Sequence, residues 1–361
     1  MYVITSTDVG GAETFLTELV KQTAQQHRVE VVCLNKCGIL ADKIRQNGAR
    51  AVRSCDMVFP YKTGVVRSLR RIINDFRPDV IHAFLYRAIQ FCRLAVAGTS
   101  YKLISSPHFD MAKRNFLLRG LDRFLSHIDA LCVAESFYTA RYLVEKQGYC
   151  KEKVYFLPNG IDKIKFSPSA AIRENMRKNR EISAQEVVFV SVARLADEKD
   201  PLTLLKAFLR VYRKNGSVRL FLVGEGKKRP EIESFITENK LNKTVFLQGQ
   251  QDNINDFLNM ADVFVLSSKE ESLPLSLLEA LSVGLPCIVS NVGDMPRWVE
   301  HGRSGFVFKK QDEVLLSCLM AEIAENKPLR EIMGRNALNK AKEIIDPFEK
   351  YQDIYKQIIS K

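Results

Sequence analysis

Short apolar runs alternate with longer amphipathic stretches along most of the chain. In the first half, seven apolar runs are predicted to form strands: YVITS, VEVVCL, AVRS, DVIHAF, KLISSP, ALCVAE and KVYFLP. The amphipathic stretches between them predict helices near residues 11–26, 64–76, 86–97, 111–127 and 136–146. Strands that are apolar along their whole length, each followed by a helix, are typical of parallel sheets covered on both faces.

The same alternation begins again in the second half. Strand patterns occur at VVFVSVA, VRLFLVG, TVFLQG, DVFVLS, PCIVS and GFVF. Helical patterns lie near 200–214, 228–240, 253–260, 273–283 and 311–326, and two more, near 328–343 and 347–359, have no strand after them. The stretch PNGIDKIKFSPSA between the halves contains the Pro and Gly residues that are typical of a linker. We therefore expect an α/β protein of two doubly wound parallel-sheet domains, residues 1–160 and 168–345, with a C-terminal helix at 347–361 packing back on the first.

Composition fits a folded protein of about two domains. The 361 residues are 46% hydrophobic and 27% charged, and no apolar run approaches the roughly 20 residues of a membrane-spanning helix. The first residues, MYVITSTDVGG, lack the basic and long apolar regions of a signal peptide, so we expect a cytoplasmic protein. The eight cysteines do not fall at zinc-ligand spacing, and we expect reduced, mostly buried thiols.

Charge is distributed unevenly along the chain. Residues 1–165 carry 25 Lys and Arg against 15 Asp and Glu, whereas residues 166–361 carry 29 against 27. The basic first half indicates a partner with an acidic surface, for which anionic lipid, a phosphorylated acceptor and nucleic acid are candidates. No sequence motif typical of nucleic-acid binding is present, so nucleic acid is not expected.

The predicted helix at 111–127 concentrates this basic character. It combines an apolar stripe with flanking cations: Phe116, Leu117, Leu121, Phe124 and Leu125, with Lys113, Arg114, Arg119 and Arg123 beside them. Such a pattern is typical of a helix lying in a membrane interface, and equally of a surface helix whose stripe faces the core. We hypothesise peripheral attachment to an anionic membrane at its inner face, with the core-facing alternative open.

Ligands of doubly wound domains bind beyond the carboxyl ends of the strands, so the loops there are the candidate sites. Directly after the first strand, TSTDVGGAE places Gly10 and Gly11 before a helix. Glycine lets the backbone approach a ligand closely, and the helix offers free N–H groups to an anion. A tight turn explains the two glycines equally well, because neither the dinucleotide-binding G-x-G-x-x-G nor the G-x-x-x-x-G-K-[ST] phosphate loop is present.

The loop SVARLADEKD follows the first strand of the second half. It carries Arg194 and Lys199 just before a helix that opens at Pro201. Two cations at a strand end are suited to hold a diphosphate, and the alternative is a solvated basic loop.

A third candidate is SSKEESLPLSLLEALSVG, residues 267–284. Glu271 precedes a predicted helix and Glu279 lies inside its apolar run, where a carboxylate needs a polar partner. Ser272 is a plausible cap and Pro274 suits the first turn. The backbone N–H groups expected to point at a ligand are those of Leu273, Leu275 and Ser276. A structural partner for Glu279, either a buried Arg or water, is the alternative.

Two histidines lie at predicted strand ends. His82 is in VIHAF and His108 in ISSPHFD. A histidine at such an edge can act on a substrate, or it can be a structural residue bonded within the fold.

These motifs together resemble glycosyltransferase family 4. The stretch ESLPLSLLE resembles the E-x7-E signature of that family, and VITSTDVGGAE resembles its first strand and glycine loop. The motifs PNGID, VARL, VGEG, ADVFVLSS and GLPCIVSNVGD follow in the order found in the family. The resemblance implies the GT-B fold, with two Rossmann-like domains facing across a cleft. It also implies a retaining hexosyltransferase that moves a sugar from a nucleotide-sugar, expected to be a UDP-sugar, to a glycan or lipid-linked acceptor of surface polysaccharide, lipopolysaccharide or glycolipid biosynthesis.

The resemblance also assigns roles to the candidate residues. Arg194 and Lys199 would hold the donor diphosphate, together with the N–H groups of the helix that opens near Leu273. Glu279 would accept the ribose hydroxyls and Glu271 those of the donor sugar. Further roles are implied for four residues: a close approach to the phosphate for Gly11, a place near the anomeric centre for His108, and a place on the nucleotide side for Gly224 and Gln250. No cofactor and no divalent metal are implied.

The sequence departs from the family at one loop and leaves two other functions open. Where family members often have G-G-x-P-E, this chain has Gly293, Asp294, Met295, Pro296 and Arg297, which puts the role of that loop in donor binding in doubt. A nucleotide-sugar 2-epimerase of the same fold is one alternative. A non-catalytic protein that binds sugar nucleotides is the other.

Overall fold

The computed structural model describes residues 1–56, 64–108 and 116–360. The chain divides into two compact units, Met1–Asn159 with Asp346–Lys361, and Gly160–Ile345. The first unit is therefore formed by two separate segments of the chain, and the second unit by the single segment between them.

The first unit is built on a seven-stranded parallel sheet. Its strands are β1 (Tyr2–Ile4), β2 (Glu30–Cys33), β3 (Ala51–Ser54), β4 (Val80–Phe84), β5 (Lys102–Ser106), β6 (Leu131–Ala134) and β7 (Val154–Phe156). The strand order is β3-β2-β1-β4-β5-β6-β7, so the chain reverses direction across the sheet between β1 and β4. Tyr2 pairs with Val31 on one side and with His82 on the other. In doubly wound sheets, such a reversal is where ligands bind.

The second unit repeats the plan with six parallel strands. They are β8 (Val187–Val192), β9 (Val218–Val223), β10 (Val245–Gly249), β11 (Val263–Leu266), β12 (Cys287–Ser290) and β13 (Gly305–Phe308). The order is β10-β9-β8-β11-β12-β13, with the reversal between β8 and β11. Apolar clusters cover both faces of this sheet, as the uninterrupted apolar strands predict. Both all-parallel sheets confirm the predicted α/β class.

Helices connect the strands and cover the sheets. They are α1 (Gly11–Thr23), α2 (Ala41–Gln46), α3 (Gly64–Phe76), α4 (Tyr86–Val96), α5 (Phe116–Leu125), α6 (Phe137–Glu145), α7 (Ala170–Asn179), α8 (Pro201–Lys214), α9 (Arg229–Glu238), α10 (Ile254–Met260), α11 (Leu275–Val283), α12 (Met295–Trp298), α13 (Glu313–Glu325), α14 (Lys327–Ala341) and α15 (Pro347–Ile359). Within residues 1–56, 64–108 and 116–360, no helix has the length and hydrophobicity needed to cross a membrane.

Helix α7 was not predicted, and it lies directly after the expected linker. Its sequence, AAIRENMRKN, has almost no apolar stripe, so the pattern of hydrophobic positions gave no signal. Polar contacts hold it instead. Ser169 caps its first turn by accepting a hydrogen bond from the backbone N–H of Ile172, and Arg173 and Arg177 pair with Asp262 at 2.6 and 3.0 Å.

Helix α15 packs on the sheet of the first unit. Phe348 stacks on Phe15 of α1, with ring centroids 5.6 Å apart. Tyr355 bonds Nδ1 of His82 at 2.8 Å, and the other ring nitrogen of His82 bonds Oγ of Ser106 at 2.8 Å. His82 is buried with both nitrogens satisfied, and desolvation lowers its pKa well below the usual value. It is therefore a structural histidine.

Helix α5 exposes its apolar stripe to solvent. Phe116, Leu117, Leu121 and Phe124 are all exposed, and only Leu125 of the predicted stripe is buried. The core-facing alternative is therefore wrong for this helix. Residues 111–115 of the predicted helix, with Lys113 and Arg114, lie outside the described residues.

Candidate functional site

The candidate residues of the second unit lie in loops at the carboxyl ends of its strands. The loop after β8 contains Arg194 and a short 3₁₀ turn, Asp197–Lys199, that leads into α8. The loop after β11 contains Glu271 and leads into α11. Because β8 and β11 are neighbours at the point of reversal, their loops meet.

The structure brings Lys199 and Glu271 into direct contact. Nζ of Lys199 lies 2.6 Å from Oε1 of Glu271, and Oγ of Ser268 donates to the same oxygen at 2.8 Å. The Glu271 side chain is buried and that of Lys199 is 18% exposed. An ammonium has three donors, so Lys199 retains capacity for an anionic ligand while it orients Glu271. Ser267 and Ser268 directly follow β11. The hydrogen bond from Ser268 to Glu271 was not predicted from the sequence.

Arg194 is the exposed cation of this loop. Its side chain is 62% exposed, and one guanidinium nitrogen lies 2.9 Å from Oε1 of Glu198. An exposed pair of this kind contributes about 0.2–1 kcal/mol, so little free energy opposes its exchange for another anion. The two cations therefore differ. Lys199 is held in a buried ion pair, whereas Arg194 is available at the surface.

Gly224 allows the loops after β8 and β9 to approach closely. Its φ of +138° is unfavourable for residues with a side chain, and a Cβ there would overlap the carbonyl oxygen of Ala193. Its N–H donates to Gly249 at 2.8 Å, which ties in the end of β10 next to Gln250. Gln250 is exposed. Gly224 is thus required by backbone packing beside Arg194, whatever it contacts in a ligand.

The start of α11 differs from the prediction. The helix begins at Leu275 with Pro274 at the N-cap, and no side chain caps it, so the prediction that Ser272 is the cap is wrong. The ψ of 129° at Pro274 keeps that residue out of the helix, which leaves Leu273 buried before the first turn. Leu275 and Ser276 are the first two helical residues and are half-buried. Their N–H groups belong to the first turn, which has no intrahelical acceptors.

The loop after β12, whose role in donor binding the sequence left in doubt, supports the backbone before α11. Gly293 has φ +56°, and a Cβ there would overlap the carbonyl oxygens of Glu271 and Ser272. The N–H of Asp294 donates to Ser272 at 2.8 Å. The loop after β12 therefore fixes the backbone that carries Glu271. This role was not predicted because it depends on a contact between distant parts of the chain.

Glu279 is a half-buried carboxyl in the apolar helix α11. Among the described residues, no hydrogen bond or ion pair to its side chain is found within bonding distance. Desolvation raises its pKa to about 7, and the positive charge of Lys165 opposes that rise. Of the two structural alternatives, a buried Arg is not found beside Glu279 among the described residues, whereas contact with water stays open because the side chain is half-buried. The carboxyl is thus available to hydroxyl groups of a ligand.

The candidate residues of the first unit lie near the start of α1 and after β5. Gly10 is the N-cap of α1 with an extended φ of −162°, and a Cβ built on Gly11 would meet no atom within 4 Å. Positive φ is therefore not the reason for this glycine pair. Gly11 is exposed, so the space above it is open to a ligand, and the tight turn stays the alternative.

His108 contrasts with His82. It is half-buried, its φ is +44°, and its Nε2 is a buried atom with no hydrogen-bond partner among the described residues. Its ring lies 6.0 Å from that of Phe15 on α1, so it belongs to the same region as the glycine pair. Desolvation lowers its pKa, with Glu135 opposing, so the ring is neutral near pH 7. A buried nitrogen without a partner is costly in a folded protein, which makes His108 the candidate ligand contact of this unit.

In the parts of the chain that the structure describes, no group of three or more His, Cys, Asp and Glu side chains is arranged to hold a metal ion. The expectation that no divalent metal is needed stays a prediction.

Comparison with known proteins gives matches along nearly the whole chain. The family model described as Glycosyltransferase Family 4 matches residues 9–164, and the model described as Glycosyl transferases group 1 matches residues 172–340. The two matches divide the chain as its two sheets do.

Individual proteins agree with these matches. The chain is 32% identical over 210 residues to the Escherichia coli UDP-Gal:alpha-D-GlcNAc-diphosphoundecaprenol alpha-1,3-galactosyltransferase, covering 56% of this chain and 54% of that protein. It is 28% identical to the putative glycosyltransferase EpsF of Bacillus subtilis, covering 81% of this chain and 78% of EpsF. The structure of Anabaena Alr3699/HepE in complex with UDP-glucose superimposes with a TM-score of 0.85 at 20% identity, covering 100% of both chains.

Proposed function

Because the chain belongs to glycosyltransferase family 4 and has the GT-B fold, we propose that it transfers a sugar from a UDP-sugar to a lipid-linked or glycan acceptor with retention of anomeric configuration. The chain is a glycosyltransferase enzyme, and the names of its relatives support a role in polysaccharide or glycolipid biosynthesis. The UDP-sugar is proposed because the E. coli relative is named for UDP-Gal and HepE is bound to UDP-glucose. The lipid-linked acceptor is proposed from the name of the same E. coli protein.

One observation carries the proposal for the donor site. Lys199 and Glu271 are paired at 2.6 Å at the carboxyl ends of β8 and β11, and the unpartnered carboxyl of Glu279 follows in α11. A cation, a helix N-terminus and two carboxylates match the needs of a sugar linked to a nucleoside diphosphate. The cation and the N–H groups suit the phosphates, and the carboxylates suit the hydroxyls of the two sugars.

The proposed reaction exchanges one bond of the anomeric carbon for another and moves one proton. The acceptor hydroxyl oxygen bonds to the anomeric carbon on the face from which the nucleoside diphosphate leaves, the bond from that carbon to the phosphate oxygen breaks, and the hydroxyl proton passes to the departing diphosphate oxygen. Negative charge grows on the departing diphosphate. Lys199, Arg194 and the first-turn N–H groups of α11 stabilise that charge more in the transition state than in the ground state.

Roles for the remaining candidates follow the same chemistry. We propose that Glu279 accepts hydrogen bonds from the ribose hydroxyls and that Glu271 accepts those of the donor sugar, using the oxygen that does not bond Lys199. Gly224 and Gln250 are proposed on the nucleotide side. In the first unit, Gly11 is proposed to approach a phosphate and His108 to contact the transferred sugar.

The test is a panel of nucleotide-sugars, including UDP-, GDP- and ADP-sugars, read by thermal shift. We expect a UDP-sugar to raise the melting temperature of the wild-type protein and to lose this effect in Lys199→Ala and Glu271→Ala. The matched control is Lys340→Ala, because Lys340 is 16% exposed and also lies 2.6 Å from a glutamate, Glu343. Equal stabilisation of the wild type and both site variants would overturn the site.

The reaction itself is tested by release of UDP. With the GlcNAc-diphosphoundecaprenol acceptor of the E. coli relative, or a glycan panel, we expect release only when an acceptor is present. Lys199→Ala should lower kcat by about 10²–10³-fold, as does the loss of one group that stabilises transition-state charge. Release of UDP without any acceptor, together with a changed free sugar, would instead identify an epimerase.

A further inference from the structure

A cavity of about 440 Å³ lies within the second unit, away from the candidate donor site. Its walls are the start of α7, one face of α14, and the loops that lead into β11 and β12. Those loops lie at the amino ends of their strands, whereas Lys199 and Glu271 follow the carboxyl ends of β8 and β11. A cavity of this volume is within the range that holds small ligands. It is therefore a second candidate site, at the opposite end of the strands.

Close packing fixes the walls of this cavity. A Cβ on Gly334 of α14 would overlap the carbonyl oxygen of Gly284, the residue that ends α11. On the other side, Arg173 of α7 donates to the carbonyl oxygen of Ala261 at 2.6 Å and pairs with Asp262. Helices α7 and α14 are thus held against the loops before β11 and β12, so the cavity is part of the folded unit.

Basic side chains outnumber their acidic partners at the cavity. Asp262 is shared by two arginines, Arg173 at 2.6 Å and Arg177 at 3.0 Å. Arg330 and Arg335 of α14 also line the cavity. In the described parts of the chain, neither of them lies within ion-pair distance of a carboxylate. The cavity therefore carries an excess of positive charge that an anionic ligand would neutralise.

Arg330 has hydrogen-bond donors that the protein does not use. Its Nη1 donates to the carbonyl oxygens of Ile323 and Ala324, at the end of α13, at 2.8 and 2.7 Å. A guanidinium has five N–H donors, and the remaining nitrogens of Arg330 have no acceptor among the residues that the structure describes. Desolvation lowers the pKa of Arg330 despite two nearby carboxylates. Its half-buried charge is thus incompletely balanced by the protein.

The rest of the cavity wall is apolar. Leu258, Leu285 and Pro286 are buried side chains of this wall, and Leu338 of α14 is half-buried beside them. A ligand that fills the cavity therefore needs an apolar part as well as an anionic one. A phosphate monoester suits the two arginines better than a carboxylate does, because it carries about two negative charges at neutral pH and three acceptor oxygens.

We propose that this cavity binds a small molecule in which a phosphate monoester is joined to an apolar group. The phosphate contacts Arg330 and Arg335, whose guanidinium groups can each bond it in a bidentate way. The apolar group packs against Leu285 and Leu338. This ligand is separate from the sugar donor, and its site contains none of the residues assigned to the transfer reaction.

Titration calorimetry with phenyl phosphate tests the proposal, because this probe combines a phosphate with an apolar ring. We expect phenyl phosphate to bind the wild-type protein more tightly than inorganic phosphate does, and phenol not to bind at millimolar concentration. Arg335→Gln should weaken the binding of phenyl phosphate about tenfold, the effect of losing one charge-assisted hydrogen bond. Because Arg335 is exposed, this variant should fold as the wild type does.

Arg330→Gln provides a second measurement. It should weaken the binding of phenyl phosphate by at least about tenfold, because Arg330 is less exposed to solvent than Arg335. Since Arg330 also bonds the end of α13, circular dichroism and the melting temperature check that this variant folds.

Two control variants separate the cavity from other sites that bind phosphate. Arg213→Gln removes an exposed arginine in the last turn of α8, which is a matched change of charge outside the cavity. Lys199→Ala changes the candidate donor site. Both should leave the affinity for phenyl phosphate unchanged.

Three results would overturn the proposal. The first is equal affinity of the wild type and Arg335→Gln for phenyl phosphate. The second is equal affinity of the wild type for phenyl phosphate and inorganic phosphate, or binding of neither. The third is a loss of binding in Lys199→Ala, which would assign the phosphate to the donor site.

Discussion

Helices α5 and α11 each carry one acidic residue in a sequence rich in leucine, but they differ in which side chains are buried and in whether the acid has a protein partner. In α11 three of the four leucines, Leu277, Leu278 and Leu281, are buried, and Glu279 has no protein partner among the described residues. In α5 the leucines and phenylalanines other than Leu125 are exposed, and Asp122 is buried among four polar side chains. The comparison teaches that an apolar stripe does not by itself decide which side of a helix faces inward. The partner available to the acid decides it.

The largest expected effect is on the contact that orients α5. Asp122→Ala should lower the free energy of unfolding of the first unit by about 4 kcal/mol, because Arg93 remains buried with one partner fewer. Urea denaturation measures this loss. The control is Glu145→Ala, which removes an exposed pair with Arg141 and should cost less than about 0.5 kcal/mol. Equal, small effects of the two substitutions would show that Asp122 does not fix the helix.

The next effect compares leucines of the two helices. Leu281→Ala in α11 should lower the free energy of unfolding of the second unit by about 3 kcal/mol, because Leu281 is fully buried and leaves a cavity. Leu121→Ala in α5, where the side chain is 50% exposed, should change stability by less than about 0.5 kcal/mol. Urea transitions of both variants provide the measurement. A loss of about 2 kcal/mol at Leu121, a typical cost for a buried leucine, would mean that the exposed apolar side chains of α5 are covered in solution.

The smallest effect concerns Glu279 and depends on pH. Its pKa in the folded protein is raised to about 7 from 4.5, so folding favours its protonated form. The ionised carboxylate therefore destabilises the fold above pH 7, and this cost disappears as pH falls from 7 towards 4.5. Glu279→Gln should raise the free energy of unfolding at pH 8 by about 1 kcal/mol, after allowance for partial exposure, and by much less at pH 5.

The same substitution separates stability from function. If Glu279 accepts the ribose hydroxyls, Glu279→Gln should weaken donor binding while it stabilises the free protein, since the amide offers one acceptor where the carboxylate offers two. Titration calorimetry at pH 8 with the donor found by thermal shift measures the change. Unchanged affinity with increased stability would leave Glu279 buried without a role in the donor site.

Much of the fold follows from local pattern. Helices α3 and α15 begin and end where the amphipathic pattern predicts, and the strands fall within the predicted apolar runs. The features that were missed or predicted wrongly depend on particular contacts or residues rather than on hydrophobic periodicity. Helix α7 depends on its ion pairs to Asp262, and the start of α11 depends on Pro274, so neither follows from hydrophobic periodicity. The orientation of α5 depends on Arg93, a residue of α4.

Some features of the candidate site follow from the sequence, and others do not. The sequence predicts that Lys199 and Glu271 lie at strand ends, because parallel strands present their carboxyl ends at one edge of a sheet. It does not predict that the two bond each other, that Gly293 supports the backbone at Glu271, or that His108 rather than His82 has an unsatisfied nitrogen. Those facts arise from contacts between residues far apart in the chain.

Helix α15 has a consequence for how the protein is made. It belongs to the first unit, yet it leaves the ribosome only after the whole of Gly160–Ile345. Until then, the nascent first unit has no Tyr355 to bond His82 and no Phe348 to stack on Phe15. The first unit therefore cannot complete its fold before the second has been synthesised.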